Sequence, residues 1–139
     1  MDQRLRNFYM DSQVSGATPG QLLIMLYDLL IEHAEAADVE LSAPESPTKF
    51  AAAAKEVTFC IKVLTELTAS LRHGENPTLC ATLGGLYEFF TREFYAALDE
   101  GTPDKVRKLL PMIRELRVAW ASADRLAGKT QPDAAAVAA

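Results

Sequence analysis

The residues Thr18-Pro19-Gly20-Gln21-Leu22-Leu23-Ile24-Met25-Leu26-Tyr27 decide the fold class. Proline suits the first position of a helix, where its missing N–H has no intrahelical use, and the residue before it can accept from the free N–H groups. Gln21, three residues after Thr18, completes a capping-box spacing. The arrangement recurs. Ser46-Pro47, Asn76-Pro77 and Thr102-Pro103 each set a capping residue before a proline, so the chain carries four helix starts.

The periodicity after each start agrees. A helix over 19–42 carries Leu22, Leu26, Leu29, Leu30, His33, Ala34, Ala37 and Leu41 on one side. One over 47–73 carries Phe50, Ala54, Val57, Ile61, Leu64, Thr68 and Leu71. A third over 77–99 offers Leu79, Leu83, Leu86, Phe90, Phe94 and Ala97, and a fourth over 103–127 offers Val106, Leu109, Ile113, Leu116, Trp120 and Ala123. No stretch alternates with period two over the length of a strand. Helices of similar length joined by short loops predict an all-α fold, an antiparallel up-down four-helix bundle. Residues 1–17 read as an irregular N-terminal arm, 18–127 as the bundle, and the Ala-rich 128–139 as a disordered tail. Pro111 is the local conflict: inside the fourth helix it removes a donor at ~3 kcal/mol, which predicts a kink.

Composition bounds the function. The chain has 139 residues, 49 % hydrophobic and 24 % charged, the balance of one globular domain. A net charge of -5 argues against binding nucleic acid as the main activity. The longest apolar run, Leu22 to Tyr27, is six residues, far short of the ~20 a membrane span needs. The first residues, Met1-Asp2-Gln3-Arg4-Leu5-Arg6, lack the apolar region of a secretory signal, so a cytoplasmic location is expected. Cys60 and Cys80 read as buried thiols, at heights in the bundle too different for a disulfide.

More apolar surface is present than one seam per helix can use. Residues 22–27 with Leu29, Leu30 and Ile31 cover nearly the whole circumference of the first helix, and Phe59, Val63, Tyr87, Phe89, Leu110, Met112 and Val118 fall off the main stripes. The arm, another subunit or a ligand must cover part of that surface. Charge is segregated as well. Asp28, Glu32, Glu35, Asp38, Glu40 and Glu45 form a stretch without Lys or Arg, while the fourth helix carries Lys105, Arg107, Lys108, Arg114, Arg117 and Arg125. Attraction within the bundle and steering of a partner explain this equally well.

Catalytic readings fail on residue supply. His33 and His73 are the only histidines, and the positions three before them are Leu30 and Ser70, not the Glu of a di-iron bundle. The acids Asp28, Glu32 and Glu35 share a face without histidine partners. No nucleophile has an adjacent base, and Gly84-Gly85 lies mid-helix, where it reads as a site of close helix approach. No enzyme, metal site or cofactor is expected.

Several segments resemble the flagellar export chaperone FliS family. They are Ala17-Thr18-Pro19-Gly20-Gln21-Leu22 running into Met25-Leu26-Tyr27-Asp28, Tyr9 and Val14 in the arm, and Leu64-Thr65-Glu66-Leu67 with Leu71. Leu86-Tyr87-Glu88-Phe89 with Arg92, and Ile113-Arg114-Glu115-Leu116-Arg117 before Ala119-Trp120, continue the resemblance over about residues 9–121. The chain departs from the family pattern at Phe59, Glu93, Ala96-Ala97-Leu98 and Pro111.

The resemblance implies a cytosolic chaperone that binds the C-terminal segment of flagellin in outer apolar grooves, prevents premature polymerisation and aids export. It implies flagellin and the flagellar export apparatus as partners, with weak homodimerisation when unbound. The arm would cover part of the groove in the free state, with Tyr9 as a mimic of client side chains. Candidate partner-binding residues are Tyr9, Ile24, Tyr27, Ile31, Phe59, Val63, Tyr87 and Met112, with Arg114 and Arg117 at the rim. Leu26, Ile61, Leu86, Ile113 and Trp120 are assigned to the core. The alternatives are a FliS-like helical chaperone for another secretion client and a self-associating regulatory bundle.

Overall fold

The computed structural model describes residues 2–72 and 74–130. Five helices follow one another: α1 (Gln3–Val14), α2 (Pro19–Ser42), α3 (Lys49–Ala69), α4 (Pro77–Glu100) and α5 (Asp104–Thr130). No strand occurs among the described residues.

The helix starts show which local signals carried weight. Thr18 Oγ1 accepts from the Gln21 N–H at 3.1 Å, and Gln21 Oε1 accepts from the Thr18 N–H at 2.9 Å, so the expected capping box is formed. Asn76 caps α4 by accepting from the Leu79 N–H at 3.2 Å. Ser46-Pro47 does not open α3. That helix begins at Lys49 after Thr48, with no side-chain cap, and it ends at Ala69 rather than 73. His73 lies outside the described residues. α5 starts at Asp104, whose carboxylate complements the positive helix end. It runs unbroken through Pro111 to Thr130, so residues 128–130 of the expected tail are helical and 131–139 lie outside the described residues.

The expectation of an irregular arm is corrected. Asp2 accepts from the Arg4 N–H at 2.8 Å, and the capped segment runs as helix α1 until Gly16 takes a positive φ of 79°. No proline, glycine or β-branched residue interrupts it before Val14.

Buried residues on α2 follow a 3-4 spacing, Gly20, Leu23, Tyr27, Leu30, Ala34, Ala37 and Leu41, with Leu26 beside them. Leu23 and Tyr27 therefore take the place expected for Leu22. On α3 the core stripe is Ala53, Val57, Cys60, Leu64 and Leu67, and Phe50, expected inside, is 64 % exposed. The stripes on α4 and α5 centre on Leu83, Phe90, Phe94, Ala97 and on Val106, Leu109, Ile113, Trp120. Gly84 and Gly85 are not points of close approach: a Cβ on Gly84 would meet only Leu71 at an ordinary 3.8 Å, and one on Gly85 would meet nothing.

α2 packs on α3 and α5, and α4 packs on the same two helices. Asp28, Glu35 and Asp38 of α2 pair with Arg117, Arg114 and Arg107 of α5 at 2.9, 3.5 and 2.9 Å, so numbering rises on one helix as it falls on the other. Leu30 and His33 meet Cys60 and Glu56 of α3 in the same opposed sense.

At the centre the hydroxyls of Tyr27 and Tyr87 meet at 2.7 Å, and both side chains are shielded from water. Burial pushes both phenols above their usual range. The Trp120 indole N–H is buried close by without hydrogen-bond geometry to any partner among the described residues.

A buried hydroxyl that loses its partner costs ~1–3 kcal/mol, whereas removing both members of a pair is far cheaper. Tyr27→Phe is therefore expected to lower unfolding stability in urea by about 1–2 kcal/mol, and the Y27F/Y87F double variant to regain most of that loss. Additive losses in the double variant would show that the pair is not the interaction at stake.

Candidate functional site

The surface with the most side chains committed to one feature is the groove where α2 and α3 meet, beneath α1. Phe59 of α3 is its centre. The Arg4 guanidinium lies over the Phe59 ring, 4.2 Å from the centroid, and the His33 ring of α2 is 4.1 Å away at 44°. The fixed pair of His33 Nδ1 and Glu56 Oε2, 2.6 Å apart, holds that imidazole in place between α2 and α3.

α1 is held by side chains at several points. Leu5 is 1 % exposed and joins the hydrophobic core, Phe8 and Tyr9 pack against it, and Ser12 is buried. Leu5, Phe8, Tyr9 and Ser12 are spaced i, i+3, i+4, i+7, one face of a helix. Asp2 reaches Lys62 Nζ at 3.0 Å. Burial raises the Tyr9 phenol, and the Glu66 carboxylate adds to the effect.

The expected partner-binding residues divide into groups. Tyr9 lies on the half-buried face of α1, and Ile24 and Ile31 on α2 are partly buried against the core. Phe59 is under Arg4, and Val63, one turn further along α3, is fully buried. Tyr27 and Tyr87, named with them, bond to each other inside the core and are almost wholly buried. Met112, at 38 % exposure, is on α5 with Arg114 and Arg117, whose partners are Glu35 and Asp28. Arg114 and Arg117 belong to the α2–α5 seam, not to the groove. Half of the segregated charges thus meet one another across α2 and α5, while Lys105 turns to Glu93 and Glu100 of α4.

Sequence reasoning missed Asp2, Arg4, Leu5 and Lys62. The signal was present in the 5, 8, 9, 12 spacing behind a capping aspartate, within a segment read as irregular. It also missed that Phe50 and Tyr95, 64 % and 57 % exposed, form an open apolar patch with Leu98 where α3 begins and α4 ends. No helix among the described residues is long and apolar enough to cross a membrane.

The Asp2 contacts give α1 docking a pH dependence. The Lys62 ammonium and the Arg4 N–H hold the Asp2 carboxyl below its ordinary 3.8. A group whose pKa falls on docking contributes fully above its free value and loses that contribution as pH drops through the docked value. Hydrogen exchange of the α1 amides, corrected for intrinsic rates, should be flat from pH 7 to 5 and accelerate below about 4. Asp2→Asn should abolish that acid-side acceleration; its persistence in D2N would assign it to another group.

No curated protein matches the chain. The family model described as flagellar protein FliS matches residues 1–127, which takes in α1, the groove and nearly all of α5. The chain belongs to the flagellar protein FliS family.

Proposed function

We propose that this chain is a cytoplasmic export chaperone, without catalytic activity, that holds the C-terminal segment of flagellin in the groove now occupied by α1. One observation carries the reading: an amphipathic helix of the chain's own already lies in that groove, with Leu5 buried and Tyr9 half-buried. This is helix-in-groove recognition with a built-in occupant. α2 to α5 would form an antiparallel up-down four-helix bundle, a reading supported by the opposed registers of the α2–α3 and α2–α5 pairs.

In this account α1 is the resting cover and flagellin its competitor. Displacing α1 uncovers Phe59 and then Val63, with His33 of α2 at their side, whereas Ile24 and Ile31 lie on the α2 edge that carries Asp28 and Glu35 toward α5. A flagellin segment long enough to continue round the bundle would next meet Met112, with Arg114 and Arg117 at its rim. Holding that segment keeps flagellin from polymerising early and delivers it to the export apparatus. The family match supports the flagellar role. A weak homodimer of the unbound protein, or a client other than flagellin, is the second reading; the exposed Phe50 and Tyr95 favour the homodimer.

Competition has a measurable consequence, because a site open for only part of the time binds more weakly by that fraction. Leu5→Asp would put a carboxylate into an apolar contact and release α1. Isothermal titration with a peptide of about the last 40 residues of the host's flagellin should show saturable binding near 1:1 with a large negative heat-capacity change. L5D should bind about 3–10-fold more tightly than the parent chain. Equal or weaker affinity in a folded L5D protein would contradict the competition, and no binding to either would remove flagellin as the client.

A further inference from the structure

The way α1 is seated also carries information about what replaces it. Phe59 is almost wholly buried, yet the group laid over its ring is not an apolar side chain but the guanidinium of Arg4. The aromatic face is electron-rich and attracts a cation at this distance. Neighbouring contacts fix the register: Asp2 is tied to Lys62, and Leu5, next to Arg4, is buried in the core. Arg4 forms no close ion pair among the described residues; Asp2 attracts it at longer range, and the Phe59 ring is the group its guanidinium lies on.

We propose that Phe59 is a cation-accepting platform that sets the specificity of the groove. The segment that displaces α1 must lay an arginine or lysine on this ring, with an aliphatic residue beside it to take the place of Leu5. The occupant is thus a basic amphipathic helix rather than a merely apolar one. This rests on the reading of the groove as the client site, and it adds a chemical requirement on the client. The alternative is that the ring serves only as apolar floor and Arg4 rests there because α1 happens to end nearby.

A double-mutant cycle in the full-length chain separates these. Phe59→Leu keeps most of the apolar volume and removes the π face; Arg4→Gln keeps most of the side-chain length and removes the charge. The first readout is hydrogen exchange of the α1 amides. R4Q should accelerate it about 2–5-fold in the parent chain and leave it nearly unchanged in the F59L background. The second is titration with the C-terminal flagellin peptide, beside a version with every Arg and Lys replaced by Gln. Loss of the cations should weaken binding to the parent chain at least 2–5-fold more than binding to F59L. Equal effects of charge removal in both backgrounds overturn the proposal. If the flagellin peptide binds in neither form, the client reading fails by itself, and the exchange cycle still decides whether Phe59 holds a cation.

Discussion

Helix α2 is apolar over more of its circumference than a seam with two neighbours can cover, and the rest of the molecule answers that constraint. Its inward stripe, from Gly20 to Leu41, is taken up by α3 and α5. Ile24 and Ile31 remain beyond that stripe, partly buried, and Phe59 and Val63 of α3 add to the excess. α1 covers the α3 part of this remainder, with Arg4 laid over Phe59 and Asp2 tied to Lys62. A helix of 12 residues is marginal alone in water, so α1 owes its order to docking rather than to its own propensity. A cover of that kind is suited to being replaced, since ordering it gains little beyond the contacts it makes.

Electrostatics reinforces the frame without defining the site. The acidic run on α2 and the basic run on α5 are partners across one seam, through Asp28–Arg117, Glu35–Arg114 and Asp38–Arg107. These pairs are largely exposed, so each contributes little to stability and is weakened by salt. Their value lies in register, because a shift of α5 by one turn would break all three together. The buried polar content is smaller and more demanding. Tyr27 and Tyr87 satisfy each other inside an apolar core, which fixes α2 against α4 at a single height.

Much of the frame was legible in the sequence for identifiable reasons. Thr18 with Gln21, and Asn76 before Pro77, make local hydrogen bonds that need no tertiary partner, so their spacing alone marks α2 and α4. Ser46-Pro47 fails for the converse reason: the same dipeptide suits a turn, and the chain uses it as one before Lys49. Stripe phase was less legible. On nearly all-apolar stretches such as Leu22 to Tyr27, periodicity cannot say which residues face inward, and Leu23 and Tyr27 are buried where Leu22 was expected. The site suffered from the same ambiguity. Falling off a stripe marks Phe59 for a second contact, but the contact is α1, and it marks Tyr87 equally although Tyr87 points to the core. The FliS resemblance was legible in motif order over about residues 9–121, anchored by the α2 start and by buried residues such as Tyr27, Leu67, Tyr87 and Ile113, and the family match extends over residues 1–127.

The proposed function requires α1 and the client to share one groove. Hydrogen–deuterium exchange of the full-length chain, with and without saturating C-terminal flagellin peptide, tests it directly by locating both events in one experiment. If they share it, α1 amides lose protection while the amides of α2 and α3 around His33 and Phe59 gain it. Binding that leaves α1 protected and instead shields the surface near Phe50 and Tyr95 would contradict it.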